Sequence, residues 1–219
     1  MNENTRPLAQ RSARASKKLE TRVALIRAAA ELFEELGYAD TTLEAVAERA
    51  GLHVQTLYRH FPNKELLAVA PDQHALEKFK IALRKKAPEQ PFSDFWREWV
   101  VASTTRTVTR HQRSYLRKAL EASHSPAVAG QMEMIAKEFL NLLEYGLADE
   151  LKVDPRTSRF PGLFAAMLWG GNRAAVVRWR DNVGTIDLIE EVAAVVDDVC
   201  LLMDPWRAAN AESTGGQGK

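Results

Sequence analysis

"TTLEAVAERAGLHVQTLYRHFPNKELL", residues 41–67, is the stretch of this chain that decides its fold. Thr41 and Glu44 have the spacing of a capping box, and Gly51 is placed to end the helix that follows in a left-handed turn. A second short helix is predicted from about Val54 to Phe61. Two short helices joined by a tight turn with glycine predict a helix-turn-helix, with the motif at about 42–61.

A longer amphipathic helix precedes this motif. From Thr21 the apolar residues recur at spacings of three and four, and the pattern stops at Gly37. This stripe consists of Leu25, Ile26, Ala29, Leu32, Phe33 and Leu36. The helix supplies a packing partner for the two short ones, so the three helices are predicted to pack together as one helix-turn-helix unit. Pro62 is placed to start a fourth helix.

The second short helix of the motif has two different faces. Leu57 and Phe61, four residues apart, turn inward toward a small wedge of Leu43, Val46 and Leu52. The outward residues are Gln55, Thr56, Arg59 and His60, with Tyr58 at the edge. This outward face is the one that would enter a DNA major groove.

Two other interpretations of this face were weighed. Tyr58 and His60 could merely complete a small core, with Arg59 in solvent, but the capping box, the turn glycine and Lys64 would then coincide by chance. A catalytic role is disfavoured because His53 and His60 lack the spacing of a metal-binding pair, and no nucleophile motif is present.

The stretch resembles the DNA-binding domain of the TetR family of bacterial transcriptional regulators. The resemblance covers about residues 19–68, and "TLYRHFPNKELL" is its most specific part. It implies that Thr42, Tyr58 and Lys64 contact phosphates.

Base contacts are expected from the same helix. Gln55, Thr56 and Arg59 are the candidates for base edges, and His60 reaches a base or a phosphate. The family commonly has Ser or Thr where this chain has His53, so His53 puts the helix cap in doubt and offers an additional DNA contact.

The rest of the chain reads as helical, so the predicted fold is all-α: the three-helix helix-turn-helix domain followed by a larger antiparallel helical bundle. Helices are predicted at roughly 92–110, 114–123, 127–150, 157–180 and 185–203. Pro71 predicts a kink or break near Ala70. The bundle is assigned residues 69–206, and the resemblance implies that it binds a ligand and forms a dimer.

Aromatic side chains in "FSDFWREWV" share one helical face, which is typical of a core and also of a cavity wall. The candidates for lining a ligand pocket are Phe79, Phe95, Trp96, Trp99, Tyr115, Met132, Ile135, Phe139, Met167, Leu168, Trp169, Asn172 and Arg173. Asn172 and Arg173 would be its polar handles if they face the cavity; otherwise Arg173 is exposed or ion-paired.

The two final helices are predicted to form a four-helix homodimer interface. "WGGN" places two glycines inside an apolar helix, which requires a compensating close approach or room for a ligand. The last helix is apolar over a wider arc than one wall of a bundle needs. A two-fold dimer would read a palindromic operator.

Composition sets the remaining limits. The chain has 219 residues, 46% hydrophobic and 27% charged, with a net charge of +1. Residues 1–18 are predicted to be a basic flexible arm and residues 207–219 a flexible tail. No apolar run suits a membrane span or a secretory signal, so a cytoplasmic location is expected. Cys200 is the single cysteine, which excludes an internal disulfide, and no metal site or cofactor is expected.

Three functions were compared. The leading hypothesis is a homodimeric repressor that binds double-stranded operator DNA and is released by a small-molecule effector bound in the bundle. The alternative keeps DNA binding but makes the bundle a docking module for a protein partner. An all-α enzyme is disfavoured, since no catalytic residues are identified.

Overall fold

The computed structural model describes residues 8–109, 125–182 and 184–215. Over these residues the secondary structure is helical, without a strand, which confirms the all-α fold class. The helices are α1 Leu8–Leu36, α2 Leu43–Arg49, α3 Val54–His60, α4 Lys64–Ala68, α5 Ala70–Leu83, α6 Phe92–Thr109, α7 Pro126–Leu151, α8 Phe160–Asp181 and α9 Leu188–Gly215. The helix predicted at 114–123 and the candidate Tyr115 lie outside the described residues.

The chain divides into two compact units. The first comprises the described parts of Met1–His74 and Ser114–Met132, and the second those of Ala75–Arg113 and Glu133–Lys219. Two helices, α5 and α7, contribute residues to both units. The division into units therefore reflects packing, and each unit consists of two separate stretches of the sequence. Residues 19–68 lie wholly in the first unit.

The first unit is built around the predicted stripe of α1. Leu25, Ala29 and Leu32 are buried there together with Leu57 and Phe61 of the helix-turn-helix. Full burial of a leucine or phenylalanine side chain contributes about 1.5–3 kcal/mol, so these contacts hold α3 firmly.

Helix α1 begins at Leu8 rather than near Thr21, so residues 8–18 are helical and not an irregular arm. The sequence "LAQRSARASKK" lacks an apolar stripe, which is why its periodicity predicted no helix. Alanine, arginine and lysine nevertheless have high intrinsic helix propensity, which lets the helix extend beyond its packed part.

The capping box predicted at Thr41 and Glu44 is wrong. Thr42 is the N-cap of α2, and its side-chain oxygen accepts a hydrogen bond from the Ala45 amide at 3.1 Å. The Thr41 hydroxyl, almost fully buried, instead donates to the Gly37 carbonyl at 2.8 Å. By sequence alone, either of the two adjacent threonines could be the N-cap. The packing of Thr41 in the core leaves Thr42 as the cap.

Pro71 coincides with a break rather than a kink. Helix α4 ends at Ala68, Val69 has φ −90° and ψ 1°, and α5 starts at Ala70. Proline at the second position of a helix is well tolerated because its missing N–H would have no partner within the helix.

An aromatic cluster fills the second unit. Phe79 is fully buried, and its ring centroid lies 5.3–5.7 Å from the rings of Phe95, Trp96, Trp99 and Phe139. Aromatic pairs at these separations add about 0.5–1.5 kcal/mol each beyond their burial. The predicted aromatic stripe of α6 is thus largely core.

A partly buried polar cluster joins three helices in the same unit. The Glu150 carboxylate accepts hydrogen bonds from the Ser93 amide at 2.7 Å and from the Arg207 guanidinium at 2.6 Å. Ser93 is only 1% exposed, so this charge pair with its hydrogen bonds satisfies groups that would otherwise be costly to bury. It fixes α6, α7 and α9 to one another.

Helix α9 extends to Gly215, although the sequence predicted a flexible tail from residue 207. Pro205 lies inside the helix, and the alanine-rich residues that follow it favour continuation. Among the described helices, none combines the length and the apolar character that crossing a membrane requires.

The two glycines of α8 have different surroundings. A Cβ added at Gly171 would lie 2.5 Å from Val195 Cγ1, so α8 and α9 approach too closely there for any side chain. A Cβ at Gly170 would meet open space. The predicted close approach therefore applies to Gly171.

We expect Gly171→Ala to lower the free energy of unfolding by about 1–2 kcal/mol, because the overpacking cost exceeds the gain in helix propensity. Val195 cannot turn away cheaply, since β-branched side chains have one strongly preferred rotamer in a helix. Urea unfolding checks this. Gly130→Ala is the control: it lies exposed within α7 with open space at its Cβ, and it should stabilise. Equal stabilisation by both substitutions would contradict the account.

Candidate nucleic-acid interface

Helix α3 separates its two faces as the sequence predicts. Leu57 and Phe61 are 0% and 1% exposed, and they fix the helix on the core of the first unit. Gln55 and Arg59 are exposed on the other side, and Tyr58 is 46% exposed at the edge. The outward face thus presents an amide, a guanidinium and a phenol together.

The turn that orients α3 depends on Gly51. Its φ of +66° lies in the left-handed region, where a side chain is disfavoured. The Gly51 amide donates to the Glu48 carbonyl at 2.9 Å, and the Leu52 amide donates to the Ala47 carbonyl at 2.9 Å. These two bonds satisfy the carbonyls at the end of α2 and confirm the predicted turn.

Arg59 lies along its own helix. Its Nε donates to the Gln55 carbonyl at 3.3 Å, and its Nη2 donates to the Thr56 hydroxyl at 3.2 Å. Gln55, Thr56 and Arg59, the three candidates for base contacts, are therefore adjacent in space. Because these bonds are exposed, they contribute little and are readily exchanged for a base edge.

Tyr58 has an acidic neighbour. Its hydroxyl donates to Glu44 Oε1 at 3.1 Å, and this hydrogen bond together with the carboxylate charge raises the pKa of Tyr58. A phosphate contact by Tyr58 would bring phosphate close to Glu44, which has the same sign of charge. The phenol therefore has to turn from Glu44 toward the DNA backbone in such a complex.

Lys64 is held by the protein itself. Its Nζ donates to the carbonyls of Tyr38, Ala39 and Thr41 at 2.8, 3.0 and 2.9 Å. The Lys64 Nζ also lies 4.4 Å from the centre of the Tyr38 ring. Burial raises the pKa of the Tyr38 phenol to about 12. All three ammonium protons are thus used to fix the loop before Thr42.

Arg22 on α1 is a residue that the sequence analysis missed. Its Nη1 donates to the His60 carbonyl at 3.4 Å, and its guanidinium lies 4.2 Å from the centre of the Phe61 ring. It thereby holds the C-terminal end of α3. The two partners are 38 residues apart, so no local pattern signals the contact.

His60 is half-buried beside positive charges. Burial lowers its pKa, and the charges of Lys18, Arg22 and Arg59 lower it further. The neutral imidazole is therefore favoured, and the three cations create a positive potential around the C-terminal end of α3.

His53 and Thr42 lie at the starts of their helices. His53 is the N-cap residue of α3, with extended backbone angles and no hydrogen bond from its side chain to the helix. Its exposed ring is consequently not used as a cap. Thr42 is exposed and caps α2.

The proposed pocket residues fall into three groups. Phe79, Phe95, Trp96, Ile135, Phe139 and Leu168 are buried, and Trp99, Trp169 and Asn172 are half-buried, all in the second unit. Met132 is half-buried in the first unit. Met167 and Arg173 are exposed on α8, so they are separate from the buried aromatic rings.

A groove of about 430 Å³ lies elsewhere in the second unit, where α7 meets the loop that follows it. Its lining residues are Tyr145, Ala148, Asp149, Val153, Asp154, Pro155 and Arg156. Within the described part of the chain, no group of three or more histidine, cysteine or acidic side chains is arranged to hold a metal ion.

Comparison with known proteins finds a family model and a curated relative that match part of the chain. The family model described as bacterial regulatory proteins, tetR family, matches residues 25–70. The HTH-type transcriptional regulator TcmR of Streptomyces glaucescens is 43% identical over 79 residues, which are 36% of this chain. That alignment spans 35% of TcmR, about a third of the curated relative.

Solved structures resemble the chain over most of its length. The SmeT–triclosan complex aligns with a TM-score of 0.67 at 22% identity, covering 84% of this chain and 91% of that one. FadR from Bacillus subtilis, solved in complex with stearoyl-CoA, aligns with a TM-score of 0.59 at 22% identity, covering 81% and 96%. These likenesses confirm the fold of a helix-turn-helix domain joined to a helical bundle.

We expect Lys64→Met to lower the free energy of unfolding by about 1.5–3 kcal/mol, because three charge-assisted hydrogen bonds are lost. Chemical denaturation followed by circular dichroism measures this. Lys78→Met removes the same charge from an exposed position of α5 and should change stability little. If Lys64→Met and Lys78→Met lower the free energy of unfolding by the same amount, Lys64 does not fix the loop.

Proposed function

The chain belongs to the TetR family of bacterial transcriptional regulators through residues 25–70, and on this premise we propose that it is a dimeric repressor of a palindromic operator, released by a small molecule. The observation that carries the proposal is the outward face of α3. Leu57 and Phe61 are fully buried beneath it, so the helix is fixed while Gln55 and Arg59 stay free to meet DNA. This is the arrangement that a recognition helix needs.

The proposed DNA contacts combine two kinds of residue. Gln55, Thr56 and Arg59 read base edges, since glutamine pairs with adenine and arginine with guanine in bidentate geometry. Thr42, Tyr58, His53 and His60 contact phosphates or neighbouring base edges. Lys64 acts chiefly through the loop that it fixes, which positions Thr42, and contributes its charge to the phosphate backbone.

The exposed apolar faces of α8 and α9 support the proposed homodimer. Leu163 and Met167 are 50% and 40% exposed on α8, and Leu201 and Leu202 are 68% and 54% exposed on α9. Gly170 adds a flat position to the same face of α8. Large apolar side chains exposed on both helices favour an interface, and two helices from each protomer would form a four-helix contact.

The second unit is proposed to bind the effector. Two structures with this fold are described with bound molecules, triclosan for SmeT and stearoyl-CoA for FadR. In this chain, α5 and α7 contribute residues to both units, and they would carry a change at the ligand to the DNA-binding unit. The ligand would thereby alter the separation of the two α3 helices and release the operator.

We expect the double variant Gln55→Ala/Arg59→Ala to lose preference for the operator while retaining non-specific binding. Each lost bidentate contact reduces discrimination by about 1–3 kcal/mol, whereas most phosphate contacts remain. Affinities for the operator and for a scrambled duplex are measured by fluorescence anisotropy at one fixed salt concentration.

The control for this experiment is Arg84→Ala, which removes one positive charge from an exposed position outside α3. It should keep the ratio of specific to non-specific affinity. The assignment of the recognition face is wrong if the double variant discriminates between the two duplexes as well as the parent does.

A further inference from the structure

A continuous strip of aromatic rings runs through the second unit. Trp99 lies 5.3 Å from Phe79, Phe79 lies 5.4 Å from Phe139, and Phe139 stacks on Trp169 at 4.9 Å, measured between ring centroids. The two middle rings are buried, but Trp99 and Trp169 at the ends are only half-buried. The strip therefore ends in two half-buried indole rings. The Arg106 guanidinium lies 5.6 Å from the centre of the Trp99 ring, so the Trp169 end is the surface on which another flat ring can stack.

Polar atoms without partners lie beside this strip. Trp96 is 3% exposed, and its ring packs against Phe79 and Phe139. Among the described residues, no acceptor binds the buried Trp96 Nε1–H. Indole N–H groups normally have a partner when they are buried, so this donor is an exception that requires an explanation.

Asn172 is a second such exception. It lies one helical turn after Trp169, and it falls on the buried stripe of α8 between Leu168 and Ala175. Both its Oδ1 and its Nδ2 are buried, and neither has a hydrogen-bond partner within the described part of the chain. Leaving such groups unpaired costs about 1–3 kcal/mol each, so an apolar residue would serve a purely structural role better.

From this juxtaposition we propose that the second unit binds a neutral, planar aromatic compound that carries a hydroxyl or carbonyl oxygen. Its rings extend the aromatic strip by stacking on Trp169 at the end of it. The Trp96 N–H donates to its oxygen, and a hydroxyl at that position donates in turn to Asn172 Oδ1. Because the buried polar groups of Trp96 and Asn172 are neutral, they favour a neutral oxygen beside them over a charged one, which would be costly to desolvate.

The inference rests on the proposed function, because it assigns a chemical class to the effector of the same site. The two can still fail separately. If another class of compound releases the operator and aromatic hydroxyl compounds do not bind, the repressor proposal stands and this inference is overturned. If the aromatic compound binds through Trp96 and Asn172 without releasing DNA, this inference stands and the release mechanism is wrong.

The test is calorimetric titration of the full chain, without DNA, with 2-naphthol and with naphthalene. Saturable binding of 2-naphthol, tighter than that of naphthalene, is expected because only the hydroxyl compound satisfies the buried amide and N–H. Absence of saturable 2-naphthol binding up to its solubility limit would overturn the proposal, as would equal affinity for both compounds.

Two variants test whether Asn172 and Trp96 bind the hydroxyl group of 2-naphthol. Asn172→Leu removes the amide at similar volume, and Trp96→Phe removes the N–H while keeping an aromatic ring. Each should weaken 2-naphthol binding about three- to tenfold, the effect of one lost hydrogen bond, and leave naphthalene binding nearly unchanged. Trp206→Phe, outside the strip and 39% exposed, is the matched control and should bind as the parent does.

Thermal unfolding of the unliganded variants provides a readout that does not depend on ligand. Asn172→Leu should unfold at a higher temperature than the parent, because an unpaired buried amide is replaced by an apolar group. If Asn172→Leu is stabilised but binds 2-naphthol with parental affinity, the buried polar atoms are hydrated rather than part of a ligand site, and the proposal is overturned. Asn172→Leu keeps the test decisive even if Trp96→Phe folds poorly.

Discussion

The burial of Leu57 and Phe61 under α3 is the constraint on which the first unit depends. Because both side chains are almost completely removed from water, the rotation of α3 about its own axis is fixed and the opposite face must point outward. Arg22 holds the C-terminal end of the helix, and Lys64 fixes the loop before α2. The surface that we propose for DNA binding is thus set by the core, and its hydrogen-bonding groups are presented without reorganisation of the backbone.

The sequence predicted those features of the first unit that depend on residues close together in the chain. The apolar stripe of α1, the turn at Gly51 and the inward positions of α3 follow from periodicity and from backbone preference. The N-cap did not, because Thr41 and Thr42 both suit a cap and only the packing of Thr41 decides between them. The start of α1 was missed because its first turns depend on intrinsic propensity rather than on an apolar face.

Contacts between distant residues could not be predicted from one sequence. Lys64 binds carbonyls 23–26 residues earlier, and nothing local distinguishes it from a lysine that meets phosphate. Distant contacts also decide the outcome in the second unit. The sequence pattern indicated an aromatic core and two glycines in α8, but it could not show which glycine packs closely against α9. The adjacent Asn172 and Arg173 also differ: the amide of Asn172 is buried, whereas Arg173 is exposed.

Hydroxyl-radical footprinting of the DNA that flanks the gene for this chain tests the central claim most directly. Two copies of α3, held by a two-fold dimer through α8 and α9, predict two protected patches on one face of the duplex, with centres about one helical turn apart, roughly 34 Å, and related by a palindrome. A single protected patch, or two patches that are direct repeats, would contradict the account.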